Sequence, residues 1–340
     1  GEAWSILTDE FLHADITCLV TDPANPNVTY AGTRYHGLYQ TIDGGRTWSL
    51  VSGELGTPVI TAMAQSTGES QTLYAGTLDG VYRSDDGGRQ WQASSQALGK
   101  VFVQALEADP KTGRIYAGTQ TGIFFSEDGG RTWHWAEADT SAAAILCMEM
   151  DPQDRRRIYA GSWGHNVLRS SDGGHSWAPI HRGLETLSVH AFAIEPGDPQ
   201  ILYAGTVEAV YRSRDGGQTW QASPVDDRPL TTFALAIDAR RPSIIFAGTT
   251  DGAYLSLDRG QTWQAAGQDS LVGTVTALLL DPTDPTTVYA GTEHHGLFQS
   301  TDSGHHWQAW GLEGRSVYTL LVDQTGTKWV GTDQGLFRNP

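Results

Sequence analysis

The side chains best equipped for chemistry in this chain are carboxylates and imidazoles, and they fall into two sets. The first set recurs. Asp43, Asp86, Asp128, Asp172, Asp215, Asp258 and Asp302 each follow a Ser or Thr by two residues. Each precedes a Gly by two residues and a Trp by five. An Asp in a Gly-rich turn can hold a cation, or it can fold its own turn by accepting nearby amides. One carboxylate per turn falls far short of the six to eight oxygens a calcium ion takes. The turn-folding role is therefore expected, with no metal site and no cofactor. The second set does not recur: Tyr35, His36, Trp163, His165, Glu208, Asp251, Glu293 and His294. These side chains stack, hydrogen-bond and carry charge, which suits ligand binding. Glu208 with Asp251, or Glu293 with Asp333, would serve a glycosidase if each pair stood ~5–9.5 Å apart. Nothing else marks those pairs, so no catalytic residue is assigned. His294 and His295 are neighbours, and on a strand their rings diverge. Paired His or Cys at zinc spacing is absent from the sequence.

The elements that must position these residues follow from the repeat. The Trp residues at 48, 91, 133, 177, 220, 263 and 307 are 42 to 44 residues apart. A period in the low forties, with several strands and turns per unit, signals a β-propeller. A second mark, Tyr-Ala-Gly-Thr or a near variant, centres on Gly32, Gly76, Gly118, Gly161, Gly205, Gly248, Gly291 and Gly331. It occurs eight times, against seven complete Asp-Gly turns. Trp4 precedes Thr17 as Trp48 precedes Thr61, so it acts as the eighth Trp. The chain is therefore expected to be all-β: one eight-bladed propeller of four-stranded antiparallel blades. Residues 1–340 would form a single domain, with residues 1–8 giving the outer strand of the C-terminal blade. That closure leaves no open sheet edge.

Within a unit, an apolar strand such as Val59–Met63 comes first and a turn rich in Asp and Pro ends it. The Tyr-Ala-Gly-Thr strand is second, a segment such as Gly80–Ser84 is third, and the fourth begins at the Trp. Both faces of a blade pack on other blades, so the strands read as nearly continuous apolar runs. In the Asp-Gly turn, Gly45 and its equivalents are expected to supply positive φ. The preceding position admits Arg259 and Ser303 and is expected to need no special dihedral. Cys18 and Cys147 share a slot filled elsewhere by Ala, which suits small buried thiols without a disulfide.

The Ser/Thr-x-Asp-x-Gly-x-Thr/Ser-Trp turn, recurring at this period over the whole chain, resembles the Asp-box or BNR repeat. It is similar to the repeats of sialidase-like, xyloglucanase-like, sortilin-like and photosystem-assembly-factor-like propellers. The resemblance implies that the seven boxes join third and fourth strands on the face away from the functional site. The opposite mouth is then the place to look. It is built from turns between second and third strands and from connections between blades. Those turns carry Arg34–His36, Leu78–Asp79, Gln120–Thr121, Trp163–Asn166, Val207–Ala209, Thr250–Asp251, Glu293–His295 and Asp333–Gln334, and those of blades one, four and seven are one residue longer. The connections add Phe11, His13, Trp135, His181, Arg182, Asp226, Asp227, Arg228, Trp310 and Arg315. The variable position of each first strand adds Thr17, Thr61, Gln104, Leu146, His190, Phe233, Thr276 and Tyr318.

A net charge of −17 disfavours nucleic acid and anionic lipid as partners. The arginine cluster and the N-terminal segment that a sialidase resemblance would require are missing, and the cleft of xyloglucanase-like enzymes lies between two propellers. The expectation is a non-catalytic binding propeller for a peptide, glycan or small ligand. The alternatives are a glycosidase or sialidase-like enzyme and a pure scaffold. A soluble bacterial protein is expected, secreted or periplasmic, as a monomer or as part of a longer chain.

Overall fold

The structure, a computed structural model, describes the chain from 4 to 339 apart from 7–10, 12, 54, 56–58, 67–71, 95–97, 139–142, 186–187 and 268–269. It is an eight-bladed β-propeller. Six blades are sheets of four sequential antiparallel strands, as in Ile60–Gln65, Leu73–Thr77, Gly80–Ser84 and Gln92–Ala93. The eighth joins both ends of the chain: Val317–Val322, Lys328–Thr332 and Gly335–Asn339 are completed by Ser5–Ile6. Ser5 pairs with Arg338 and Ile6 with Phe337. Trp4 donates its indole N–H to the Trp310 carbonyl at 2.6 Å, which pins this strand. Leu7 and the residues to Glu10 lie outside the described part of the closing strand. Blade four departs from the expected four strands, since Glu137–Ala138 adds a short fifth strand parallel to Ser176–Pro179.

Gly in the Tyr-Ala-Gly-Thr mark is required by packing between blades. At each of the eight positions the first strand of the next blade lays a β-branched side chain directly against the Gly. A Cβ on Gly161 would stand 2.8 Å from Val189, and one on Gly331 2.7 Å from Ile16, which closes the ring. The β-branched residues (Ile16, Ile60, Val103, Ile145, Val189, Thr232, Val275 and Val317) are fully buried. The Tyr of the mark reaches the same neighbour by another route. Tyr30, Tyr74 and Tyr116 donate their hydroxyls to Gly87, Gly129 and Gly173 in the Asp-Gly turn of the next blade, each at 3.0 Å.

The Asp-Gly turn consumes its own carboxylate. Asp43 Oδ1 accepts the amides of Arg46 and Thr47 at 2.9 Å, and Oδ2 accepts the Thr47 hydroxyl at 2.6 Å. The Thr41 hydroxyl donates to Asp43 and accepts the Gly45 amide. These bonds hold the Asp43 carboxyl down to about 2. One expectation is corrected here. Both turn positions are left-handed, with φ of 68° at Gly44 and 84° at Gly45. Arg259 and Ser303 adopt φ of 61° and 60° at the first of them, so that position does need a special dihedral. The turns between first and second strands use carboxylates in the same way: buried Asp22, Asp109, Asp151, Asp238, Asp281 and Asp323 each accept the amide two residues on. Much of the acidity is therefore spent inside turns.

Cys18 and Cys147 are unpaired, and burial raises their thiols to about 11 and about 12. Among the described residues no helix is long and apolar enough to cross a membrane.

Candidate ligand-binding mouth

Connectivity decides which side chains share a face. The Asp-Gly turns join third to fourth strands and the variable turns join second to third, so the two sets stand at opposite ends of every blade. The last residue of the Tyr-Ala-Gly-Thr mark fastens each variable turn. In five blades its hydroxyl donates to the carbonyl three residues on, as from Thr77 to Gly80 at 2.9 Å. In blades one, four and seven the bond spans four residues: Thr33 to Gly37, Ser162 to Asn166 and Thr292 to Gly296. Positive φ closes these turns at Gly37, Asn166 (59°) and Gly296, as it does at Gly80, Gly122, Gly252 and Gly335 in shorter ones. The same fastening thus carries turns of different length and content, and Tyr35, His36 and Trp163 all stand exposed on them.

The variable position of the first strand is a β-bulge in all eight blades. The register slips between Ile16 and Cys18, between Ile60 and Ala62, and at the equivalent place in each other blade. A bulge re-aims the side chain it carries. Thr17, Thr61 and Thr276 use this aim to bond the next blade, donating to Ile60, Val103 and Val317 at 2.5 to 2.6 Å. Gln104, Leu146, His190, Phe233 and Tyr318 form no such link. Gln104, Leu146 and Tyr318, with Thr17 and Thr61, line a cavity of about 470 Å³. The rest of its wall is Arg34, Tyr35, Val59, Leu78 and Phe102. Arg34 is held by Asp15 at 3.2 Å and its guanidinium lies 6.0 Å from the Tyr318 ring.

A second group adjoins the cavity, running from blade four to blade six. Trp163, 59% exposed, meets His190 edge to face at 6.2 Å, and His190 meets Phe233 at 5.7 Å. Burial lowers the His190 pKa. His190 Nε2, His165 Nδ1 and the Oδ1 of Asn166, a residue only 6% exposed, are buried without a hydrogen-bond partner.

The remaining expected residues are spread over blades five to eight. Glu208 sits in a turn held by the Leu230 amide, and Asp251 is ion-paired with Arg228. Glu293 Oε1 lies 3.9 Å from His294 Nε2, while His294 Nδ1 is 2.9 Å from the Ser316 hydroxyl. Ser316 in turn donates its amide to Asp333 at 3.0 Å. No group of three or more potential metal ligands converges among the described residues.

Two connection residues are not at the mouth. Phe11 is fully buried and packs edge-on against Trp48 in the core. Trp135 is on an outer strand, against Phe124, and borders a cleft with His134, His175 and Asp172. Val59 and Phe102 are wall residues that sequence reading missed. The signal was available, since their position, two before the bulge, also fails to repeat.

An eight-bladed propeller with one variable, aromatic-lined mouth defines the structural class. A family model described as Sortilin-Vps10, sortilin or neurotensin receptor 3, matches residues 165–265. A GH74 xyloglucanase from Xanthomonas campestris is 19% identical with a TM-score of 0.64, covering 97% of this chain and 59% of that one. The chain thus spans about three-fifths of that enzyme. The computationally designed protein Ika8 is 16% identical with a TM-score of 0.71, covering 100% of this chain and 99% of its own. A structure of YCF48 bound to a D1 peptide is 16% identical with a TM-score of 0.59, covering 99% of this chain and 94% of that one. The search of curated proteins gave no match. At these identities the likeness concerns the fold.

Proposed function

We propose that this chain is a single-domain, non-catalytic binding propeller whose mouth takes a peptide segment of a protein partner. The observation that carries the reading is the cavity of about 470 Å³, formed where the repeat stops repeating. Its size falls in the range of small-ligand sites, and its aromatic and aliphatic wall with a few polar groups is what such sites present. Scaffold residues recur in every blade, whereas Arg34, Tyr35, Leu78, Gln104 and Tyr318 each occur once. Tyr35 and Trp163 are the anchors, and His36, His165, Glu208, Asp251, Glu293 and His294 complete the rim. The turn carboxylates from Asp43 to Asp302 serve folding. A peptide is favoured because a YCF48 propeller, similar along nearly its whole length, has been seen with a peptide bound. The arrangement gives catalysis less support, because Asp251 is already neutralised by Arg228.

The test is a double substitution, Tyr35→Ala with Trp163→Ala. Neither side chain is buried, so the melting temperature should move by less than ~2 °C while capture of a native partner or peptide falls at least tenfold. Undiminished binding by the double variant would remove the mouth from consideration. Turnover of aryl glycosides that disappears in Glu208→Gln would replace the reading with an enzymatic one.

A further inference from the structure

The mouth is chemically two-sided, and that polarity specifies its ligand more closely than the fold does. The apolar half lies over blades eight and one to four, where Tyr35, Leu78, Phe102, Leu146 and Tyr318 wall the cavity. The other side, from blade five round to the outer turn of blade eight, carries Glu208, Asp226, Asp227, Asp251, Glu293 and Asp333 on successive turns and one connection. Against these six carboxylates stand three arginines, the first being the exposed Arg182 on the connection into blade five. Arg228 is shared between Asp226 and Asp251, and the Arg315 guanidinium carbon stands 4.6 Å from the centre of the Phe337 ring. These carboxylates differ from those of the folding turns. Asp43 and its equivalents are saturated by their own amides, whereas Glu208, Asp227 and Glu293 accept no such set of bonds. The whole molecule, at −17, strengthens the local field.

We infer that the ligand is a basic amphipathic peptide: an aromatic or aliphatic side chain enters the cavity beside Tyr35 while lysine or arginine lies over the Glu208–Glu293 crescent. This rests on the mouth being the binding site and adds the chemistry of the partner. Burial of one large apolar side chain supplies affinity. The acidic crescent supplies orientation and a faster encounter, both of which weaken with salt. Acidic peptides are excluded by the same field. Neutral saccharides would find the aromatic rings but would leave the carboxylates without a counter-charge.

The test uses short fluorescein-labelled peptides on a Gly-Ser background, with fluorescence anisotropy as the readout. One carries Phe-Leu followed by a Lys-Arg cluster, a second has the cluster replaced by Glu, and a third has Phe-Leu replaced by Ser. The first should bind at least tenfold more tightly than either of the others. Its affinity should fall several-fold when salt is raised from 50 to 500 mM. Glu208→Gln with Glu293→Gln should weaken it several-fold and flatten the salt response, while Tyr35→Ala should abolish it. If the first two peptides bind equally and both are lost in Tyr35→Ala, the mouth reading stands and the basic-peptide inference falls. If binding is insensitive to Tyr35→Ala, the mouth reading falls as well. Failure of the first peptide to bind overturns the inference and leaves the mouth to be judged by its own double variant.

Discussion

Glu107 and Glu149 occupy equivalent places on the first strands of blades three and four, where the other blades carry Val20, Ala64, Ala193, Ala236, Leu279 and Leu321. Desolvation raises the half-buried Glu107 carboxyl to about 7, and the neighbouring Glu149 carboxylate contributes to that rise. The ordinary value is 4.5. Between pH 4.5 and about 7 the folded state therefore holds more protons than the unfolded one. Stability falls across that window as pH rises, and the loss is complete above it. Glu107→Gln should match the parent near pH 4 and exceed it at pH 8, by at most ~3 kcal/mol. Thermal melts at the two pH values read this directly, and a variant less stable at pH 8 would contradict it. Backbone strain gives a second prediction at this scale. Ser303 has φ of 60° where five of the seven turns have Gly. Ser303→Gly should raise stability by up to ~1 kcal/mol, since left-handed geometry penalises a side chain. A lower melting temperature would show that the Ser303–Arg241 bond outweighs the strain.

At the scale of elements, the blade is defined by what it offers its neighbour. A methyl group on Gly161 would stand 2.6 Å from Cys147 Sγ and 2.8 Å from Val189, with a strand of the next blade behind it. Gly161→Ala should cost ~1–3 kcal/mol by overpacking, although φ there is unexceptional. A neutral result would mean that the blades slide more freely than their packing implies. The closing strand is a sharper case. Removing residues 1–6 deletes the pairing of Ser5–Ile6 with blade eight and the Trp4 bond to Trp310, and it uncovers a sheet edge. Denaturation should shift to lower temperature by ten degrees or more, with concentration-dependent aggregation, where trimming of an ordinary free terminus changes little. An unchanged melt would mean that the closing strand contributes nothing.

For the molecule as a whole, the period of the Trp residues and the mismatch between eight Tyr-Ala-Gly-Thr marks and seven Asp-Gly turns are enough to read blade number and closure. Both are repeated, and repetition averages out local ambiguity. The mouth is legible only in part. Tyr35 and Trp163 stand out because they interrupt a pattern, but nothing in their spacing says that Tyr35 borders the cavity while Trp163 meets His190. The bulge was hidden, because a register slip leaves no mark in composition and appears only when strand pairing is known. Trp135 reads as a mouth residue from sequence because a connection and a short outer strand look alike there, whereas it lies on the outer strand His134–Trp135. The fifth strand at Glu137–Ala138 has no repeated counterpart and so no signal.

The central claim is that binding occurs at the variable mouth and not on the face of the Asp-Gly turns. A crystal structure of the protein with the Phe-Leu/Lys-Arg peptide tests it most directly. The account predicts peptide density running from the cavity beside Tyr35 toward Glu208 and Glu293, with the Asp43–Thr47 turn and its equivalents bare. Peptide density over the Asp-Gly turns, with the mouth empty, would contradict it.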